Sequence, residues 1–181
     1  MKSLLIIDMQ NESFPSAYPS HDMDGVIQRI NTLANQFRKN GDKVIFIQHN
    51  GSEQGCYIPL TEGWEILSSL DKETDDFVIA KKANDSFYRT SLKSELSHVN
   101  ELVITGSATD FCIDATVKSA LVNDFNVTVI ADAHTTTGSP YLAAKQAIDH
   151  YNWMWKEMTP TRGRIRVIDF DEFMQEHLPM H

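Results

Sequence analysis

Apolar, β-branched runs recur along the chain at residues 3–8, 43–48, 77–80, 101–105, 126–131 and 164–168. Their near-continuous apolar character, without strict alternation, predicts strands of a parallel sheet covered on both faces. Between these runs the period lengthens to that of amphipathic helices. Val26, Ile30, Leu33 and Phe37 repeat at helical spacing, with Asp22 or Asp24 as a cap and Gly41 as the stop. Ile113, Val117, Ala120 and Leu121 form a second stripe, and Ser139-Pro140 predicts a helix start leading into residues 142–155. A shorter helix is expected around 91–97, and residues 169–181 read as a closing helix and tail. Residues 51–63 are the longest irregular stretch, either a site-covering loop or a plain surface excursion. The strand–helix alternation predicts a three-layer α/β/α sandwich with right-handed crossovers.

Length and composition narrow this picture. The 181 residues suit one domain spanning 1–181 with a sizeable core. A net charge of −9 argues against nucleic acid or an anionic membrane surface as the main partner and leaves a small-molecule substrate as the expected one. Two cysteines, Cys56 and Cys112, in a chain large enough to fold without staples point to a reduced, cytoplasmic protein. The apolar run at residues 4–7 is too short for a signal peptide's apolar region or a membrane span.

Cys112 lies beyond the fourth apolar run, after a glycine and a cluster of small polar residues, where a helical pattern begins. Helix N-termini carry unpaired N–H groups and partial positive charge, which lower a thiol's pKa and make it nucleophilic. The expected sheet is six-stranded, mainly parallel and Rossmann-like, in the order 3-2-1-4-5-6, and such sheets bind ligands beyond the strands' carboxyl ends where the order reverses. Asp8 closes the first run, Lys81 follows the third, and Cys112 lies past the fourth. Singly, these also read as a loop carboxylate, a solvated lysine and an inert packed thiol. Together they make a base, a cation and a nucleophile. Asp8 would take the thiol proton and return it to a leaving amine, and Lys81 would hold both anions. The N–H groups of Ala108 and Cys112 border a tight turn and are candidates for an oxyanion hole. Sulfur attack on a carbonyl carbon would then give a tetrahedral intermediate and a thioester.

On these residues the chain resembles the isochorismatase-like cysteine hydrolases, which include nicotinamidases, carbamoylsarcosine amidases and related amidohydrolases. Leu5-Ile6-Ile7-Asp8-Met9-Gln10-Asn11 is similar to the family's opening strand and its Asp-x-Gln segment. Val78-Ile79-Ala80-Lys81, with Ser86-Phe87 and Thr90-Ser91-Leu92 after it, is similar to the lysine segment. Thr105-Gly106-Ser107-Ala108-Thr109-Asp110-Phe111-Cys112 is similar to the nucleophile segment, and Ile130-Ala131-Asp132-Ala133 to the strand end that follows. The resemblance implies Asp8, Lys81 and Cys112 as a triad and a cis peptide between Ser107 and Ala108 that turns N–H groups toward the oxyanion. It also implies a homodimer or homotetramer whose sites can borrow residues from a neighbour. Spacing to Phe87, Thr90 and Leu92 selects Lys81, with the adjacent Lys82 as the alternative.

Departures from the family narrow the chemistry. Siderophore-pathway isochorismatases lack the cysteine, so Cys112 speaks against vinyl-ether hydrolysis. Nicotinamidases carry Asp-x-His and a further histidine as metal ligands. The corresponding stretch here, Ile47-Gln48-His49-Asn50-Gly51-Ser52, has one histidine and no carboxylate two residues before it. No metal, and no other cofactor, is therefore expected, and nicotinamide is disfavoured. Asn11, Phe14, His49, Trp64, Phe87 and Phe111 are candidate pocket residues; His49 reads equally as a structural histidine and the aromatics as core. His134, Thr135, Thr136 and Thr137 follow a strand end, as site residues or as a turn into the next helix. Cys56 matches no motif. The expected activity is metal-independent hydrolysis of a C–N bond in a small amide-like substrate. The alternatives are a catalytically idle or binding protein on the same fold, and a thiol-redox protein using Cys56 and Cys112.

Overall fold

The computed structural model describes residues 1–14 and 19–177. In chain order the elements are β1 (Lys2–Ile7), α1 (Met23–Lys39), β2 (Lys43–His49), β3 (Phe77–Lys81), α2 (Leu92–Glu95), β4 (Glu101–Ser107), α3 (Asp114–Val122), β5 (Asn126–Thr135), α4 (Ala144–Glu157), β6 (Ile165–Ile168) and α5 (Phe170–His177). The six strands form one parallel sheet in the order β3-β2-β1-β4-β5-β6. The expected order is the observed one.

Alternate residues of the strands enter two cores. Leu5, Ile7, Leu102, Ile104, Val127 and Val129 pack with Leu92 of α2, Val117 of α3 and Trp155 of α4. Leu4, Ile6, Val103 and Ile130 pack with Val26, Ile30, Leu33 and Phe37 of α1 and Phe173 of α5. Each buried aliphatic side chain contributes roughly 1.5–3 kcal/mol, so the sheet is held from both faces. The edge strand β3 departs from expectation. It has a neighbour on one side only, and Phe77 and Val78 remain exposed, with the Lys43 ammonium 4.6 Å from the Phe77 ring centroid.

The element ends differ in detail from expectation. Ser139-Pro140 does not start a helix: the Ser139 hydroxyl accepts from the Tyr141 and Leu142 N–H groups in a local turn, and α4 begins at Ala144. Asp22 stands at the N-cap of α1, but its carboxylate holds Arg29 instead of capping. β5 runs to Thr135 rather than ending at residue 131. Its ladder with β4 shifts register, so that Ile104 faces Val129 and Gly106 faces His134. Of the closing helix and tail, residues 178–181 lie outside the described residues. Among the described residues no helix is long and apolar enough to cross a membrane.

Candidate active site

The strand order reverses between β1 and β4, and the reactive side chains gather beyond their carboxyl ends. Register places them there. Ile7 pairs with Ile47 and with Gly106, and His49 pairs with Lys81, so Asp8, His49 and Lys81 leave adjacent strand ends together. Gly106 takes φ +115°, and a Cβ there would meet the Ile7 carbonyl oxygen at 2.3 Å. Only glycine allows β1 and β4 to approach this closely just before the turn. The Ser107–Ala108 peptide is cis. A π-helical turn, Thr109–Ile113, then carries Cys112 into α3.

Lys81 is buried and its Nζ lies 2.6 Å from Asp8 Oδ2, 2.9 Å from the Ala83 carbonyl oxygen, 3.2 Å from Cys112 Sγ and 3.3 Å from His49 Nδ1. The other carboxylate oxygen, Asp8 Oδ1, is buried and has no hydrogen-bond partner among the described residues. Asp8 itself adopts φ 48°, an uncommon conformation for a residue with a side chain, and its carbonyl accepts from the Ser13 hydroxyl at 2.8 Å. Lys82, by contrast, is exposed and pairs with Glu53 at 2.8 Å. Burial therefore separates two lysines that sequence leaves adjacent.

The electrostatics correct one expectation. The Cys112 thiol is not depressed: burial pushes it up to about 12, Asp8 adds to the rise, and Lys81 opposes it. The resting sulfur is a protonated thiol beside a carboxylate. Burial works to lower the Lys81 pKa, but Asp8 and Cys112 outweigh it and the ammonium is held. His49 is lowered by burial and by the charge of Lys81, which keeps its ring neutral.

A cavity of about 210 Å³ opens onto the thiol. Asp8, Ser107, Ala108 and Cys112 form its reactive wall, and Ser13, His49, Tyr57, Asn84 and Phe111 complete it. His49 is fixed by Gln10, whose Oε1 accepts from the His49 N–H at 2.7 Å and whose Nε2 donates to the His49 carbonyl at 3.1 Å. The Tyr57 ring meets His49 edge-on, with centroids 5.2 Å apart. Four other pocket candidates lie elsewhere. Asn11 donates to the Glu62 carbonyl at the surface, and Phe14 packs against the α1-side core. Phe87 stacks on Phe125, and the Trp64 carbonyl accepts from Gln10 and Gln48. For Phe14 and Phe87, packing against the cores turned the side chain away from the cavity.

Sequence reasoning missed Ser13, Tyr57 and Asn84. Ser13 and Asn84 follow Asp8 and Lys81 by a few residues, which was the available signal. Tyr57 shows that the irregular stretch 51–63 does reach the site. Residues 15–18 lie outside the described residues. His134 and Thr135 belong to β5 and are buried. The Thr109 hydroxyl and His134 Nδ1 are 2.9 Å apart, and the Thr136 hydroxyl donates to Asp110 at 2.6 Å, so this strand end anchors the turn that bears Cys112. A larger cavity of about 280 Å³ lies between α1 and α4; along it Arg29 pairs with Asp22 and Asp132, and Lys145 with Asp149. Among the described residues no three His, Cys, Asp or Glu side chains converge as a metal site.

Comparison with known proteins agrees with this architecture. The family profile for the isochorismatase domain matches residues 2–162. The uncharacterized isochorismatase family protein YddQ of Bacillus subtilis is 38% identical over 143 residues, covering 75% of this chain and 78% of that one. A probable inactive nicotinamidase of Arabidopsis thaliana is 34% identical over 173 residues, covering 83% and 88%. The solved cysteine hydrolase of Pseudomonas syringae superposes with a TM-score of 0.85 at 18% identity, covering 97% and 92%, a likeness of fold.

Proposed function

The chain belongs to the isochorismatase family, and on that premise we propose that it is a cysteine hydrolase that cleaves a C–N bond of a small amide-like substrate through a thioester. The observation that carries this reading is the buried Asp8 Oδ1, which has no hydrogen-bond partner among the described residues, in a site where Cys112 Sγ has the Lys81 ammonium at 3.2 Å and Asn84 Oδ1 at 3.7 Å. A carboxylate oxygen that no protein donor occupies is free to take a proton from a neighbouring thiol. A thiol that keeps its proton at rest needs such an acceptor to become a nucleophile.

The steps follow. With a substrate carbonyl against Sγ, the thiol proton passes to Asp8 and sulfur bonds to the carbon. The oxyanion is met by the N–H groups of Ala108 and Cys112 at the start of the turn. Lys81, holding Asp8 and Cys112 at once, keeps both in place and offsets negative charge wherever it sits. The tetrahedral intermediate collapses, the C–N bond breaks, and Asp8 returns its proton to the departing nitrogen. Asp8 then takes a proton from water as it attacks the thioester carbonyl and hands it to sulfur as the C–S bond breaks, releasing the carboxylic acid and restoring the thiol and the Asp8 carboxylate.

The similarity to a relative described as inactive makes an idle scaffold the competing reading. A library of small amides, screened for ammonia or amine release with wild type and Cys112→Ala, separates the two. Turnover lost in the variant, with a substrate-sized acyl adduct on Cys112 by mass spectrometry, supports the hydrolase. Equal behaviour of both proteins on every turned-over compound sinks it.

A further inference from the structure

The charges around the thiol are already engaged with one another. Lys81 Nζ is surrounded by Asp8, the Ala83 carbonyl, Cys112 Sγ and His49 Nδ1, four neighbours for three N–H donors. None is left to pair with an anionic group on a substrate. Because His49 Nδ1 faces an ammonium it acts as the acceptor, and the ring hydrogen sits on Nε2. Ser13, Tyr57, Asn84 and Phe111, which complete the lining, are uncharged. Lys82 is exposed, paired with Glu53, and does not line the cavity. Residues 15–18 are Pro, Ser, Ala and Tyr and carry no cation.

Resting on the hydrolase reading, we propose that the site selects substrates that are uncharged beside the scissile carbonyl, such as small neutral carboxamides, and rejects those carrying a carboxylate there. The cavity, about 210 Å³, offers hydroxyl, amide and imidazole groups that can donate to and accept from a neutral amide. A carboxylate placed in it would lose water without gaining a counter-charge, and burying an unpaired anion is costly. The protein's net charge of −9 opposes its approach as well.

Iodoacetamide and iodoacetate test this with one change of charge and almost none of shape. In each reaction Sγ bonds to the methylene carbon, iodide leaves, and the thiol proton is lost to Asp8 or solvent. The rate ratio of the two reagents at Cys112, divided by the same ratio at Cys56, is read by peptide mass spectrometry on the intact protein. This quotient cancels intrinsic reactivity and thiolate fraction. The expected quotient favours iodoacetamide about tenfold, and Asn84→Lys, which places a free cation in the lining, should shrink it back toward one. A quotient near one, or favouring iodoacetate, in the wild-type protein overturns the neutral-substrate proposal while leaving Cys112 as nucleophile intact. An Asn84→Lys quotient unchanged from wild type overturns the electrostatic basis of the proposal. If neither reagent modifies Cys112 while Cys56 reacts, the nucleophile reading fails, and the substrate proposal falls with it.

Discussion

Acid should loosen the turn that carries the thiol, through one histidine. His134 is 1% exposed, its Nδ1 lies 2.9 Å from the Thr109 hydroxyl, and its Nε2 lies 3.0 Å from Asn152 Oδ1. The Asn152 amide donates to the Ala131 carbonyl, which leaves Oδ1 as the acceptor for Nε2–H and Nδ1 as the acceptor for Thr109. The neutral ring is thus fully satisfied, and burial lowers its pKa from 6.5 to about 4. Between those values the unfolded chain binds a proton that the folded chain refuses, so stability falls as pH falls. At about 1.36 kcal/mol per pH unit, that displacement is worth about 3 kcal/mol in full, of which roughly 2 kcal/mol is lost between pH 7 and 4.5. Urea unfolding of wild type and His134→Gln across this range isolates the contribution, because every carboxylate is common to both. Wild type should be the more stable protein at pH 7, since the variant disturbs two buried hydrogen bonds at about 1–3 kcal/mol each. That advantage should narrow by roughly 2 kcal/mol on reaching pH 4.5. Parallel stability curves would refute the reasoning.

Other perturbations divide the site's roles. Asp8→Asn should cut turnover by about 10²–10⁴-fold yet speed alkylation of Cys112 at fixed pH, because the Asp8 charge is part of what holds the thiol up; slower alkylation would contradict the electrostatics. Lys81→Met strands a buried carboxylate and should cost about 3–5 kcal/mol in urea unfolding, whereas Lys82→Ala, at an exposed pair, should match wild type. Equal effects of the two lysine variants would refute the assignment. Gly106→Ala forces a Cβ against the Ile7 backbone in a left-handed conformation, and its melting temperature should fall by the ~2–8 °C that roughly 1–2 kcal/mol produces in a chain of this size; an unchanged melting temperature would count against the close β1–β4 approach.

Much of the fold was readable because burial writes itself into sequence. The six apolar runs became the six strands, and the stripe Val26, Ile30, Leu33, Phe37 became the buried face of α1. Element ends were less readable. Ser139-Pro140 carries a helix-start signature, but the serine hydroxyl closes a local turn with Leu142, and the helix begins only at Ala144. The polar residues of β5 beyond residue 131 read as a loop, yet they pair with β4 after a register shift that no local signal announces. The pocket was the least readable part. Phe87 stood at a plausible position, but a side chain's direction depends on what it packs against, and Phe125 decided it.

By itself the sequence determined the α/β layering, the parallel sheet and the placement of three candidate side chains at strand ends, because periodicity and strand-end position are local properties. Only the tertiary structure buried Lys81 against Asp8 and Cys112 while leaving Lys82 exposed, left one Asp8 oxygen without a partner among the described residues, and reversed the expected shift of the Cys112 thiol. Charge and proton affinity depend on burial and on neighbours within a few ångströms, and those neighbours come from strands far apart in the chain.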